Sequence, residues 1–324
     1  MIRLASAPRP DAGRAPTRRY ALGALLLAGA LAGAAPAGAQ APAPAPAPLD
    51  PAALVFAVVP DENAAGVTER YGPFVEHLQA KLGRPVTLRI ATDYAAVIEG
   101  QRAGQIHVAT YGPSAFARAL SIGARVEAFA QDVNADGSKG YHAVFYVRAD
   151  SPFQRVEDLK GRTLALVDPN STSGNAVPRF ALSRMGLDAD AFFGRVFYAG
   201  SHENAILALR QGVADVAANW WNDERASNLS RMAEKGMVRA DEFRMVFKSE
   251  PILNAPTAYL ADLAPELKAR LRDAFLNVAT ENPAAWARVS SGGKQAPWAP
   301  VDNAAYAPIL ELNRFVDELR RRRS

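Results

Sequence analysis

The run Leu54-Val55-Phe56-Ala57-Val58-Val59, stopped by Pro60, and the segment from Val67 to Leu82 behind it decide the fold class. The first is short, apolar and ended by a proline, the pattern of a buried strand. In the second, Val67, Tyr71, Phe74, Val75, Leu78 and Leu82 fall at helical spacing, and Gly83 stands where a helix C-cap belongs. Outward from this pair the alternation continues: strand at 85–90, helix at 94–102 with Gly104 behind it, strand at 106–109, helix at 113–121. A second block repeats it, with strands at 141–147, 163–167, 196–198 and 215–218 and helices at 174–185 and 204–210. After a run at 243–247 two helices are expected, 265–279 and 306–319, with no strand between them. Strands alternating with helices imply parallel sheets covered on both faces. The expectation is therefore an α/β, two-lobed fold, each lobe a mainly parallel sheet flanked by helices. Residues 51–142 and 249–324 would form lobe one, 143–248 lobe two, and the C-terminal helices would lie on lobe one. The crossings fall near 140–143 and 249–255. Ligands in such sheets sit at the carboxyl ends of the strands, which in two lobes face one another across a cleft.

The first 39 residues read as an address. Arg3, Arg9, Arg14, Arg18 and Arg19 precede an apolar run from Ala21 to Ala35, and the small residues Ala37-Gly38-Ala39 follow. That order is a secretory signal, with cleavage expected after Ala39. Thr17-Arg18-Arg19-Tyr20-Ala21-Leu22 resembles a twin-arginine export signal and equally fits an ordinary charged leader. Residues 40–50, rich in alternating Ala and Pro, form an extended linker. With no cysteine in the chain, disulfides, thiol nucleophiles, thiolate metal sites and a lipidated N-terminal cysteine are all excluded. The leader, with five Arg and one Asp, carries the whole formal charge of +4, and the remainder holds 32 basic and 32 acidic residues. The basic sequence pI thus belongs to the leader, and a nucleic-acid partner is not expected.

Asp168-Pro169-Asn170-Ser171-Thr172-Ser173-Gly174 is the most pointed segment. Three hydroxyls between a strand and a helix start can act with the free N–H groups and positive dipole of the first turn. They suit a tetrahedral oxyanion, whereas a single hydroxyl there would read as an N-cap. Gly200-Ser201-His202-Glu203-Asn204 repeats the geometry, and His202 offers a ring N–H or, as imidazolium, a charge. Tyr94 and Tyr141 open a helix and a strand, and either reads as packing or as a neutral donor. Tyr111-Gly112-Pro113-Ser114 is a further loop expected to reach the cleft. Trp220-Trp221 either lines a pocket or covers the sheet. His77, His107, His142 and His202 show no metal-ligand spacing. There is no phosphate loop ending in Lys, no dinucleotide fingerprint and no nucleophile elbow. No cofactor or metal is expected.

These segments occur in a recognisable order. Thr92-Asp93-Tyr94-Ala95, Tyr111-Gly112-Pro113, Ala135-Asp136-Gly137-Ser138-Lys139-Gly140-Tyr141, the Asp168–Gly174 segment with Pro178 behind it, Ser201-His202-Glu203-Asn204-Ala205 and Asp215-Val216-Ala217-Ala218-Asn219 follow one another. The ordered set resembles the periplasmic phosphonate-binding proteins of ABC transporters, over roughly residues 54–258. The resemblance implies a two-lobed periplasmic solute-binding fold, a small oxyanion ligand, an inner-membrane ABC permease as partner and no catalysis. It also implies that Ser171, Thr172 and Ser173 donate to a phosphonate, with Tyr94, Tyr141 and His202 completing the cradle. A monomer, soluble in the periplasm, is expected.

Two departures bear on specificity. Members that bind aminoalkylphosphonates place acids where this chain has Asn222 and a residue around Asn254 to Pro256. The implied ligand therefore lacks an amine, as in phosphite, phosphate or an alkylphosphonate, unless Asp223 or Glu250 substitutes. Two other readings remain beside an importer component. One is an enzyme on the same fold acting on a small phosphorylated or pyrimidine-like metabolite, with His202 and Asp223 as its acid–base pair. The other is an exported sensor subunit.

Overall fold

In a computed structural model, residues 47–321 are described; the expected signal segment and most of the expected linker lie outside them. Among the described residues, no helix is long and apolar enough to cross a membrane. At Leu49 the chain is already tied to the fold: its N–H bonds the Asp262 carbonyl at 2.7 Å, and its carbonyl accepts from Ala264 at 2.8 Å.

The strands are β1 (Leu54–Val58), β2 (Val86–Ile90), β3 (Val108–Thr110), β4 (Val126–Asn134), β5 (Gly140–Arg148), β6 (Thr163–Leu166), β7 (Arg195–Tyr198), β8 (Val216–Trp221), β9 (Phe243–Lys248), β10 (Ile252–Leu253), β11 (Pro256–Leu260) and β12 (Gln295–Ala299). One sheet runs β12-β4-β11-β3-β1-β2; the other runs β10-β5-β8-β6-β7, with β9 also on β5. The helices are α1 (Ala64–Leu82), α2 (Tyr94–Arg102), α3 (Pro113–Ser121), α4 (Val177–Arg184), α5 (Ala189–Phe192), α6 (His202–Arg210), α7 (Asn228–Glu234), α8 (Pro265–Leu276), α9 (Val278–Glu281), α10 (Pro283–Val289) and α11 (Ala307–Arg321).

Local chemistry sets the first unit as its pattern predicts. Asn63 caps α1 by accepting from Gly66 N–H, and Gly83 ends it in the left-handed conformation at φ 63°. The apolar stripe of α1 buries Phe74 against Phe56 of β1, Phe275 of α8 and Trp298 of β12, ring edge to ring face. A second core, around Phe145, Leu164, Leu166 and Leu182, lies in the other lobe.

The α/β, two-sheet architecture holds, with three corrections. The sheets are mixed rather than mainly parallel: β1–β2, β1–β3, β6–β7 and β6–β8 are parallel, whereas β4, β5, β9, β10, β11 and β12 pair antiparallel. The reason is topological: β4 leads directly into β5 of the other sheet, and β11 returns the chain antiparallel between β3 and β4. Strands β10 and β11 follow the 243–247 run, and β12 stands between the C-terminal helices, where none was expected. The expected helix 265–279 ends at Leu276 and is continued by the short α9 and α10. The change of sheet lies between Asn134 and Gly140 on the way out and between Leu253 and Pro256 on the way back.

The C-terminal region does not rest on one sheet's helices alone. Helix α11 packs on α3, with Arg118 and Asp317 paired in a two-pronged ion pair at 2.7 Å. It also meets the other lobe, where Phe315 stacks edge-on against Phe180 of α4 and Arg320 donates to the Tyr198 hydroxyl at 2.6 Å.

Candidate functional site

The carboxyl ends of β1, β3, β6, β7 and β8 converge on one cavity of about 160 Å³ between the lobes. All seven residues singled out in the sequence line it: Tyr94, Tyr141, Ser171, Thr172, Ser173, His202 and Asn222. Tyr111, Gly112 and Pro113 also reach it, as expected of their loop, and of the tryptophan pair it is Trp220 that does so.

The hydroxyl segment is built more tightly than a plain helix start. Residues Thr172–Ala176 form a π-turn before α4, so the helix expected from 174 begins at Val177. Ser171 caps the turn by accepting from Gly174 N–H at 3.0 Å, which leaves its own O–H free to donate. The glycine is a steric requirement: a Cβ at Gly174 would lie 2.4 Å from Val167 Cβ at the end of β6. Thr172 Oγ1 accepts the N–H of Ser114, at the start of α3 in the opposite lobe, at 2.8 Å. Its hydroxyl therefore joins the lobes and still has a proton to offer. The phenol of Tyr141 is pushed up to about 12 by burial, against hydrogen bonding with Thr172 and Ser173. Burial also raises Tyr94 well above its ordinary value, with Ser171 as its hydrogen-bonding neighbour. Both phenols are neutral donors at ordinary pH.

His202 follows its cap, Ser201, whose side chain accepts from Asn204 N–H at 3.1 Å. Burial pushes the imidazole down from 6.5 to about 4, with Arg231 adding to burial and Asp61 opposing it. The imidazolium considered from the sequence is thus not the resting form, and His202 enters the site neutral. Asn222 lines the cavity, but its amide is engaged: Nδ2 donates to Asn134 Oδ1 at 2.8 Å, an oxygen that Asn254 also approaches at 3.3 Å. Asp223 and Glu250 are exposed, and Asp223 caps its own turn by accepting from Arg225 and Ala226 N–H. Neither lines the cavity, so neither replaces the missing acids, and Asp223 does not form an acid–base pair with His202 there.

Six charged residues that the sequence reading passed over also line the cavity: Asp61, Arg70, Asp132, Arg225, Arg231 and Lys294. Asp61 bonds Arg70 of its own lobe at 3.1 Å and Arg231 of the other at 3.0 Å. Burial alone would raise its carboxyl, but the two guanidiniums outweigh that and hold it well below the usual carboxylate range. The Arg231 guanidinium lies 5.1 Å from the Trp220 ring centre. Asp132, in β4, accepts from Trp298 Nε1 at 2.8 Å and has no ion-pair partner among the described residues. Burial pushes it up to about 6. Asp61 follows β1, so the rule that strand ends carry ligands pointed at it; Asp132 sits on a strand the hydropathy pattern did not reveal.

Behind these residues an ion cluster spans the lobes. Glu62, 3 % exposed, meets Arg70 at 2.7 Å, and Lys235 of α7 at 2.5 Å. Glu203, 1 % exposed, receives Lys235 at 3.0 Å and also accepts from Asn63 through both its backbone N–H and its side-chain amide at 2.8 Å. A Cβ at Gly66 would stand 2.6 Å from Glu62 Oε2 and 2.7 Å from Lys235 Nζ, so a larger residue there would push this ion pair aside.

What the arrangement offers is a neutral cradle of hydroxyls and ring nitrogen, bordered by charged side chains most of which are paired, which suits an oxyanion. Among the described residues no cluster of metal-ligating side chains occurs. Comparison with known proteins agrees with this chemistry. Residues 56–306 match the family described as ABC transporter, phosphonate, periplasmic substrate-binding protein. The chain is similar to the phosphonates-binding periplasmic protein of Escherichia coli, 32% identical over 229 residues, covering 69% of this chain and 66% of that one. It is 30% identical to the phosphate-import protein PhnD of Mycolicibacterium smegmatis over 234 residues, covering 69% and 71%. The chain thus spans about two thirds of the length of these relatives. Among solved structures, the binding-protein component of an ABC phosphonate transporter from Pseudomonas aeruginosa superposes with a TM-score of 0.74 at 28% identity, covering 83% of this chain and 88% of that one. The chain belongs to the periplasmic phosphonate substrate-binding proteins of ABC transporters.

Proposed function

We propose that this protein captures a small phosphorus oxyanion, a phosphonate, phosphite or phosphate, in the inter-lobe cavity and presents the closed form to an inner-membrane permease. The observation that carries the reading is the convergence of Ser171, Thr172, Ser173, Tyr94, Tyr141 and His202 on one cavity. Ser171, Thr172 and Ser173 would donate from the π-turn and the two phenols from the facing elements, with the His202 ring completing the cradle. Asn222 would border the ligand's substituent. Its amide, held by Asn134, presents no carboxylate at that position, and with Asp61 already paired to two guanidiniums only Asp132 is left in the cavity to receive an ammonium group. The lobes would hinge through 135–139 and 254–255, the segments that pass between the sheets, with the protein acting as a monomer.

No catalysis is proposed. The His202–Asp223 pair of the enzyme reading is not assembled, because Asp223 is bonded within its own turn and does not line the cavity. A thermal-shift screen of phosphite, phosphate, methylphosphonate, sulfate and methanesulfonate tests the ligand class. Phosphorus oxyanions should raise the Tm, by the equivalent of about 2.7 kcal/mol at about 100 times Kd. A shift with sulfonates alone would assign the cavity to another oxyanion.

A further inference from the structure

We infer that the cavity binds a dianionic oxyanion together with one proton, shared between the ligand and His202 Nε2, and that Asn219 is the positioning residue that imposes this. The inference rests on the oxyanion-binding function proposed above. It begins at a fully buried side chain that does not line the cavity.

Asn219 lies in β8 at 0 % exposure. Its Nδ2 donates to the His202 carbonyl at 3.0 Å, and its Oδ1 accepts the Trp220 backbone N–H at 3.0 Å. A carbonyl takes only a donor and an N–H only an acceptor, so the two bonds fix which end of the amide is oxygen. That oxygen is 3.1 Å from His202 Nδ1, and an acceptor there requires the ring proton to sit on Nδ1. A neutral imidazole has one N–H, so Nε2 carries the lone pair. Among the described residues nothing else hydrogen-bonds the ring, which leaves Nε2 to the cavity that His202 lines.

The charges around the ring do not undo this. Asp61 from the β1–α1 loop favours the imidazolium and Arg231 from α7 disfavours it, while Arg70 from α1, Asp132 from β4, Arg225 from the loop after β8, Lys294 from the segment before β12 and the phenols Tyr94 and Tyr141 also border the cavity. Burial adds to Arg231, and the ring stays neutral down to about pH 4. A lone pair set against the oxygen of a dianion is repulsive, whereas the hydroxyls and phenols of the cradle can donate. One proton therefore enters with the dianion, either as a P–O–H donating to Nε2 or as a newly formed imidazolium donating to P–O⁻. The proton count is the same for both.

Titration calorimetry of the wild-type protein with methylphosphonate, in several buffers of different protonation enthalpy, reads that count directly. At about pH 8.5, where the ligand is a dianion, about one proton should be taken up per site, falling towards zero where the free ligand is already a monoanion. Binding at about pH 8.5 with no uptake overturns the inference while leaving the oxyanion function standing. Absence of heat with every phosphorus oxyanion overturns the proposed function, and this inference with it. In Asn219→Asp a carboxylate on Nδ1–H raises the ring pKa, so uptake near neutrality should drop to half or less. His202→Gln, whose amide donates without titrating, should bind at about pH 8.5 with uptake near zero. Weaker binding in both variants with the wild-type proton count would reduce Asn219 to a merely structural residue and contradict the assignment.

Discussion

Asp132 and His202 are both held away from their charged forms by burial, and their effects on stability run in opposite directions. For Asp132 the folded carboxyl sits at about 6 against 3.8 for the ordinary group. The folded state then binds this proton more tightly, so its contribution is complete below about pH 3.8 and lost as pH rises through about 6. For His202 the folded ring sits at about 4 against 6.5, so stability is lost as pH falls from 6.5 through about 4. Asp132→Asn keeps an acceptor for Trp298 and removes the buried charge. It should stabilise the unliganded protein by on the order of 1–3 kcal/mol at neutral pH and by nearly nothing at about pH 3.5, as measured by urea melts at the two pH values. An equal gain at both would show that Asp132 carries no charge penalty. The cradle residues were legible at this scale because hydroxyls and a histidine at βα-loop positions have local meaning. Asp61, Arg70, Asp132 and Arg231 were not, because their roles depend on partners up to 170 residues away.

At the scale of elements, the parallel strands and the antiparallel β5 were readable, whereas β4, β10, β11 and β12 were not. Strands β1, β3, β6 and β8 carry compact apolar runs. By contrast, β4 contains Glu127, Gln131, Asp132 and Asn134, and β12 reads Gln-Ala-Pro-Trp-Ala, so neither shows an apolar run or a clean alternation. The π-turn Thr172–Ala176 was likewise hidden inside a helical pattern, because it differs from a helix in where the backbone bonds go. Its dependence on Gly174 is testable. With a methyl group forced to within 2.4 Å of Val167, Gly174→Ala should lose about 1–3 kcal/mol of stability and displace the three hydroxyls. A variant with unchanged Tm and unchanged affinity for methylphosphonate would show that the turn tolerates the displacement.

For the whole molecule, the neutral charge balance beyond the expected signal segment was visible in composition, but its use was not. A small part of that balance is buried in one cluster that ties Glu62 of one lobe to Lys235 and Arg231 of the other, and Glu203 back to Asn63. Removing one member leaves buried charge unpaired, which costs more than the pair contributes. Lys235→Met should therefore favour the open form. Small-angle scattering without ligand should show a larger radius of gyration, and methylphosphonate should dissociate about tenfold faster. Wild-type scattering and off-rate together would remove the cluster from closure.

The central claim is that the π-turn hydroxyls and the His202 ring hold a phosphorus oxyanion. The most direct test is the calorimetric Kd for methylphosphonate of the wild-type protein beside Ser173→Ala/His202→Ala, with circular dichroism confirming the fold of both. Loss of two charge-assisted hydrogen bonds should weaken binding by at least about 100-fold at unchanged secondary structure. Wild-type affinity in the double variant would place the ligand somewhere other than this cradle.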